Sequence, residues 1–253
     1  MEKPTPEKIE KVKKMIPEYT KFCSYYIRPI LFGELPLKSL ESTVKGATVA
    51  FVDTGKKAFG ITALHVYKEY LKLKNEIKDF QCKIDNLDID LESRLLDYSN
   101  EESNLDLITF EILPHEFEIL DAKPLYHKPW PVKYQERGDS EPIFILGYPE
   151  HLREIESTEH IIAVAGSLML TVKSVTDRRL YIELVRDGWI IHFSLKEIDL
   201  SKFRGISGAG VFRMNSLTPE LLGIVTDHGE NFFDVLFCSR ADQILSNGKI
   251  IKV

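Results

Sequence analysis

From about Val44 onward the chain is a succession of short runs rich in β-branched and aromatic residues: ATVAFVD, AFGITAL, FQCKIDNLDID, LDLITFEI, PIFILGY, IIAVAGSLMLTVKSV, RLYIELV, WIIHFSL, GAGVF, ELLGIVTD and FFDVLFC. Gly, Pro, Asn and Asp separate them, as at Asp53-Thr54-Gly55 and Asp187-Gly188, where hairpin turns are expected. Strands this short and this closely spaced argue against a parallel α/β sheet and predict an all-β protein, a sandwich or two small barrels side by side. Two stretches interrupt the pattern. VYKEYLKLKNEIKD reads as a helix, and the Pro-bearing LPHEFEILDAKPLYHKPWPVKYQERGDS reads as a connection between two halves. Ahead of the strands, TPEKIEKVKKMI predicts a short helix: Thr5 caps it, Pro6 suits its first turn, Ile9, Val12 and Ile16 share one face, and Pro17 ends it. The apolar FCSYYIRPILF would pack this extension onto the body. The expected organisation is an N-terminal helical extension over 1–40, a first β unit over 41–125 and a second over 126–253.

A chain of 253 residues, 43% of them hydrophobic, can bury a full core without staples. Acidic side chains outnumber basic ones by 39 to 33, for a formal charge of -6, and no basic tract is concentrated enough to select a phosphate backbone. Nucleic acid is therefore not an expected partner. No apolar run approaches membrane-spanning length, and MEKPTPEKIEKVKKM carries charge throughout, unlike a secretory signal, so a cytoplasmic protein is expected. Cys23, Cys82 and Cys238 are odd in number, far apart and without metal-type spacing, which predicts reduced thiols used for packing. Neither a metal nor a cofactor is expected.

Chemistry concentrates at FRGISGAGVF, Phe203 to Phe212, where Ser207 stands among Gly205, Gly208 and Gly210. Glycines there allow positive φ and bring N–H groups close to whatever meets the hydroxyl. A serine hydroxyl attacks only when a base removes its proton, usually a histidine held in one tautomer by a carboxylate. Of the seven histidines, His65 follows an apolar run directly, where a polar ring must find a partner or cost stability. His115, His127, His151 and His160 lie in polar or loop-like surroundings and are expected to be solvated; His192 falls on a strand and His228 in a loop. Asp106, flanked by Leu105 and Leu107, opens an apolar strand, either as a surface cap or as the histidine's partner. The chain order His, Asp, Ser differs from that of α/β-hydrolases and of subtilisin-type enzymes, and Ala209 breaks the G-x-S-x-G pattern.

ITALHV, LDLITFEI and GISGAGVF, in that order, resemble the base, acid and nucleophile motifs of trypsin-like serine peptidases, whose triad is the standard template for this chemistry. ILGYP, Ile145 to Pro149, resembles the segment opening the second barrel in the high-temperature-requirement and other bacterial branches, and LLGIVTDHG resembles the strand that pairs with substrate. The resemblance spans roughly residues 44 to 245. It implies two six-stranded antiparallel β-barrels with the site between them, and peptide-bond hydrolysis through an acyl-enzyme. Ser207 would be the nucleophile, His65 the base and Asp106 its orienting acid; the Gly205 and Ser207 N–H groups would form the oxyanion hole. Substrate would lie along Val225, Thr226 and Asp227, with Ser201 and Arg204 lining the specificity pocket; Ser201 stands where an acid would select Lys or Arg.

Two departures from the family pattern matter. Ile206 replaces the Asp of zymogen-type members, which argues against activation by N-terminal cleavage, and Ala209 replaces a second Gly. If the loop needs positive φ at 209, the oxyanion hole forms imperfectly. Three readings follow: an intracellular serine endopeptidase acting on protein or peptide, a pseudoprotease or partner-activated protease governed by a regulatory protein, and an esterase using the same site. For the first, activity should rise with pH as imidazole loses its proton.

Overall fold

The computed structural model describes residues 6–39, 42–132, 142–158, 161–183, 191–192, 205–215, 218–228 and 235–252. Helix α1 (Pro6–Ser24) leads into a sheet built from β1 (Ile27–Glu34), β2 (Val44–Asp53), β3 (Ala58–Ala63), β4 (Phe80–Ile84), β5 (Leu87–Asp88), β6 (Leu95–Tyr98), β7 (Leu107–Glu111) and β8 (Leu125–Tyr126). Its order is β5-β4-β1-β2-β3-β7-β6, with β8 added parallel to the end of β2. Helices α2 (Leu64–Glu76), α3 (Leu91–Arg94) and α4 (Glu116–Ile119) lie within this half. The second half contains β9 (Pro142–Gly147), β10 (Arg153–Ile155), β11 (Ile161–Ala163), β12 (Gly166–Val175), β13 (Arg179–Glu183), β14 (Ile191–His192), β15 (Gly210–Asn215), β16 (Thr218–His228) and β17 (Val235–Arg240). Strands β13, β17, β16, β15, β9 and β12 pair in that order, and β12 pairs back to β13, closing a six-stranded barrel. Where its strands pair on both sides, such a barrel leaves no edge to template aggregation.

The expectation of two closed barrels is corrected in the first half. Among the described residues no pairing joins its outer strands, β6 and β5, which are four and two residues long. Strands that short offer too few ladder positions to zip shut. Helix α2 packs instead against β1, β3, β4 and β7, burying Leu64, Val66, Tyr67, Tyr70 and Leu73 among Phe32, Ile84, Leu91, Ile108 and Phe110. The apolar face that closure would have covered is thus covered by a helix.

The N-terminal expectation also changes. Helix α1 runs through Pro17 to Ser24, although a proline inside a helix forfeits a hydrogen bond at a cost of about 3 kcal/mol. Burial of Ile16 and Cys23 offsets this, with Tyr19 set edge-on to Phe144 at 6.0 Å between ring centroids. The Thr5 cap lies outside the described residues. Strand β1, within the stretch expected to be an extension, is central to the first sheet, pairing with β2 on one side and β4 on the other.

One core cluster spans both halves. It joins Ala50, Val52, Phe59, Ile61, Leu105 and Leu107 to Phe144, Leu146, Met169, Phe212, Leu221 and Ile224, and takes in Ile16 and Cys23 from α1 and Ile244 and Ile250 from the C-terminal segment. Chain ends cross over: α1 packs on β9, while the C-terminal segment hydrogen-bonds the first sheet through Thr54 Oγ1 to the Ser246 carbonyl at 2.6 Å and the Asp97 carboxylate to the Ile250 N–H at 3.0 Å. The halves are therefore sewn together by both termini as well as by their shared core. All three cysteines are buried thiols outside any disulfide, and burial raises each thiol's pKa. Among the described residues no helix is long and apolar enough to cross a membrane.

His127, expected to be solvated, is partly buried and accepts the Leu221 N–H on Nε2 at 3.3 Å beside Trp130. Burial holds its pKa below the ordinary imidazole value, against a weaker opposing pull from Glu220. The unfolded chain therefore binds a proton at higher pH than the folded one. Stability should fall as pH drops below about 6.5, toward the depressed folded value. The denaturant midpoint is expected to fall between about pH 7.5 and about pH 5, and to fall less in His127→Gln; equal falls in both proteins would refute this role.

Candidate active site

Strand β3 ends at Ala63 and α2 begins at Leu64, so His65 lies in the helix's first turn. Ala63, at the cap position, has no side chain to accept the orphan N–H groups of that turn. Asp106 supplies the acceptors from the start of β7: its carbonyl takes the Leu64 N–H at 3.0 Å and its Oδ1 takes the His65 N–H at 2.9 Å. Its other oxygen, Oδ2, lies 2.7 Å from His65 Nδ1. That contact favours the tautomer with the proton on Nδ1 and leaves Nε2 as an acceptor. Ser207 Oγ lies 2.9 Å from Nε2, placed to donate its proton. Residues 41 and 142 positions apart from His65 thus meet its ring on opposite sides. The imidazole is half exposed and the carboxylate about a quarter exposed, at 50% and 26% of their side-chain surface.

The loop bearing Ser207 is held from below. Gly205 and Gly208 adopt φ of +84° and +88°, and Ala209 N–H donates to the Ile206 carbonyl at 2.8 Å, closing a tight turn. Ala209 lies outside the left-handed region, so the second glycine is not needed there. Gly147 makes room for it, since a Cβ on Gly147 would sit 2.6 Å from the Ala209 Cβ. Ile206 is buried, 4% exposed, among Leu168, Val211, Leu222 and other apolar residues of the closed barrel. Burial of an isoleucine of this kind is worth about 1.5 to 3 kcal/mol and anchors the loop without an ion pair.

Thr48 of β2, which the sequence does not mark out, joins this loop to the first sheet. Its N–H donates to the Ser207 carbonyl at 2.9 Å, its carbonyl accepts from Thr62 Oγ1 at 2.7 Å, and its Oγ1 accepts the Tyr148 N–H at 2.8 Å. The backbones approach so closely that a Cβ on Gly208 would lie 1.8 Å from the Thr48 carbonyl oxygen. Threonine in an ATVAF run reads only as a strand former. Its bridging role depends on partners from both halves.

Other expected site residues divide. Gly208 N–H donates to the Val225 carbonyl at 2.8 Å and Val225 N–H donates to the Ala209 carbonyl at 2.9 Å. Val225 is thus bonded through both main-chain groups to the loop that bears Ser207. Thr226 sits at a bulge against β17, its hydroxyl donating to the Phe237 carbonyl at 3.1 Å, and Asp227 is exposed. Pairing of β16 with β15 ends at Ile224, so beyond it the edge of β16 away from β17 meets no strand among the described residues. The Ser207 N–H has no acceptor among the described residues. Gly205 shares its peptide plane with Arg204, which with Ser201 lies outside the described residues. No cluster of three or more potential metal-ligating His, Cys, Asp or Glu side chains occurs among the described residues.

No protein-family model matches the chain, and no curated protein does. Several solved structures align with it at low similarity. The active form of the Rv3671c protease from M. tuberculosis shares 13% identity at a TM-score of 0.47, over 95% of this chain and 84% of that one. A thermostable serine protease, AL20, from an extremophilic microorganism shares 11% at 0.44, over 86% and 92%. The serine protease domain of the Sesbania mosaic virus polyprotein shares 12% at 0.43, over 84% and 87%.

Thr48→Val keeps the shape of the side chain and strips the Tyr148 N–H of its acceptor. A buried donor left unpaired costs about 1 to 3 kcal/mol, so a denaturant titration should show that loss. An unchanged midpoint would mean that this contact does not tie the halves together.

Proposed function

We propose that the chain is a serine endopeptidase of the trypsin-like kind, cleaving protein or peptide chains through an acyl-enzyme. The observation carrying this reading is the continuous line Asp106 Oδ2, His65 Nδ1, His65 Nε2 and Ser207 Oγ, with steps of 2.7 Å and 2.9 Å and the ring half open to solvent. In this reading Ser207 Oγ attacks the scissile carbonyl carbon as His65 Nε2 takes the hydroxyl proton. Asp106 stabilises the resulting imidazolium without being protonated itself. The proton then passes from Nε2 to the leaving amine, the C–N bond breaks, and an ester links substrate to Ser207. Water repeats the sequence to free the acid. The Ser207 N–H, with the Gly205 N–H as its partner donor, meets the developing oxyanion, a term of about 3 kcal/mol per donor.

Substrate would add as an extended strand, by β-augmentation, along the side of β16 beyond Ile224 that meets no strand among the described residues. Two features favour an enzyme over a binding module derived from one. Ile206 anchors the loop by burial where zymogens need an ion pair, and Ala209 occupies its position without left-handed strain. The resemblance of ILGYP, Ile145 to Pro149, is what favours the high-temperature-requirement branch. Three buried thiols outside any disulfide fit a reducing, cytoplasmic setting.

A fluorophosphonate probe should label Ser207. Ser207→Ala should abolish the label, and His65→Ala should slow it at least about a thousandfold while the fold persists. Absence of labelling in the wild-type protein would sink the proposal. Hydrolysis of esters without any cleavage of peptides would reassign it to the esterase reading.

A further inference from the structure

The segment carrying Asp106 is held by the opposite half of the molecule. Asn104 and Asp106 both adopt left-handed backbone, at φ of +53° and +55°, flanking fully buried Leu105. Non-glycine residues pay roughly 1 kcal/mol or more for that conformation, so surrounding contacts must impose it. Three consecutive carbonyls supply them. Arg178 Nη1 donates to the Ser103 carbonyl at 2.9 Å, Arg179 Nε to the Asn104 carbonyl at 2.6 Å, and Ser239 Oγ to the Leu105 carbonyl. Arg179 Nη2 also reaches Asn104 Oδ1 at 2.9 Å, so one guanidinium grips Asn104 by its main chain and its side chain together. All three donors belong to the closed barrel that bears Ser207.

Arg179 is itself fixed. It pairs with Ser239 across β13 and β17, and its guanidinium lies over the Phe237 ring at 6.0 Å. Arg178 is pinned through its carbonyl by the Arg240 N–H at 2.9 Å. A planar fork held on a closed barrel presents its donors at set positions, and lysine cannot reproduce two such bonds from one point charge. The next carbonyl, that of Asp106, accepts from Leu64 on the other half. The carboxylate is thus suspended between a clamp on one barrel and the helix start that carries His65.

We infer that Arg179 is a positioning residue for the Asp106 carboxylate, acting through Asn104, and that the Arg178-Arg179 turn sets how the His65-Asp106 pair is presented to Ser207. The inference deepens the peptidase reading and rests on it for its kinetic consequence, whereas its structural consequence can be observed without turnover.

The ¹⁵N shifts of the His65 ring report its tautomer directly. In the wild-type protein the proton is expected on Nδ1. In Arg179→Ala a mixture of both neutral tautomers is expected, in Arg179→Lys an intermediate mixture, and in Arg153→Ala, a control arginine whose guanidinium pairs with Glu150, the wild-type spectrum. Asn104→Gly keeps access to positive φ while deleting the Oδ1 contact, and should shift the tautomer partway; it decides the matter if Arg179→Ala does not fold. Fluorophosphonate labelling of Ser207 should slow about ten- to a hundredfold in folded Arg179→Ala, as expected when a reacting group is misplaced. A wild-type tautomer in folded Arg179→Ala, or in Asn104→Gly should the former not fold, overturns the inference. A wild-type protein that never labels, yet loses its Nδ1–H tautomer in Arg179→Ala, would sink the peptidase reading and leave the clamp standing.

Discussion

The N–H of Thr48 donating to the carbonyl of Ser207 is the contact on which the site's geometry depends. It links the first sheet to the loop of the closed barrel, where neither half alone could fix the distance from His65 to Ser207. Only glycine at 208 permits it, because any side chain there would enter the Thr48 carbonyl. Once the two backbones lock, the remaining pieces have little freedom: Tyr148 is tied to the Thr48 hydroxyl, Val225 to both sides of the turn that bears Ser207, and Ile206 to the barrel core. A buried hydrogen-bond network of this kind rigidifies what it touches.

The two halves contribute in different ways. The closed barrel is a stiff platform, holding Ser207 from below and gripping the 103–105 carbonyls from the side. The open sheet carries the imidazole on a helix start whose missing cap is replaced by the Asp106 carboxylate. One carboxylate thus serves two ends, satisfying the orphan N–H of α2 and orienting the ring. Because Asp106 is held in left-handed backbone, the strain sits beside the chemistry and the clamps that sustain it sit farther away.

The sequence showed His65, Asp106 and Ser207 because each is a polar residue in a local setting that does not explain it: a ring after an apolar strand, an acid between leucines, a serine among glycines. Many of the strands from Val44 onward were legible because alternation and turn residues act over short distances, but β1, read as part of the extension, was not. What could not be read depends on contacts made across the chain. Thr48 looks like any strand threonine, and Arg178 and Arg179 look like solvated residues after a hairpin turn. The passage of α1 through Pro17 depends on Phe144 offering a surface to Tyr19. Non-closure of the first sheet depends on β5 and β6 being too short to meet, and a helix period read from VYKEYLKLKNEIKD does not say that the helix will pack against β1, β3, β4 and β7.

Ile206 bears on how such a site becomes ordered. In a loop whose residue before the nucleophile is charged, order waits on a partner for that charge, and a new chain terminus can supply one. Here the same position is an isoleucine packed with Leu168, Leu222 and Val211, so the driving force that orders the loop is the one that folds the barrel. Loop order and barrel stability are then one equilibrium. What stands open beside the site is the half-exposed imidazole and the side of β16 beyond Ile224 that meets no strand among the described residues, whereas the turn that carries Ser207 cannot be released without unpacking the core beneath it.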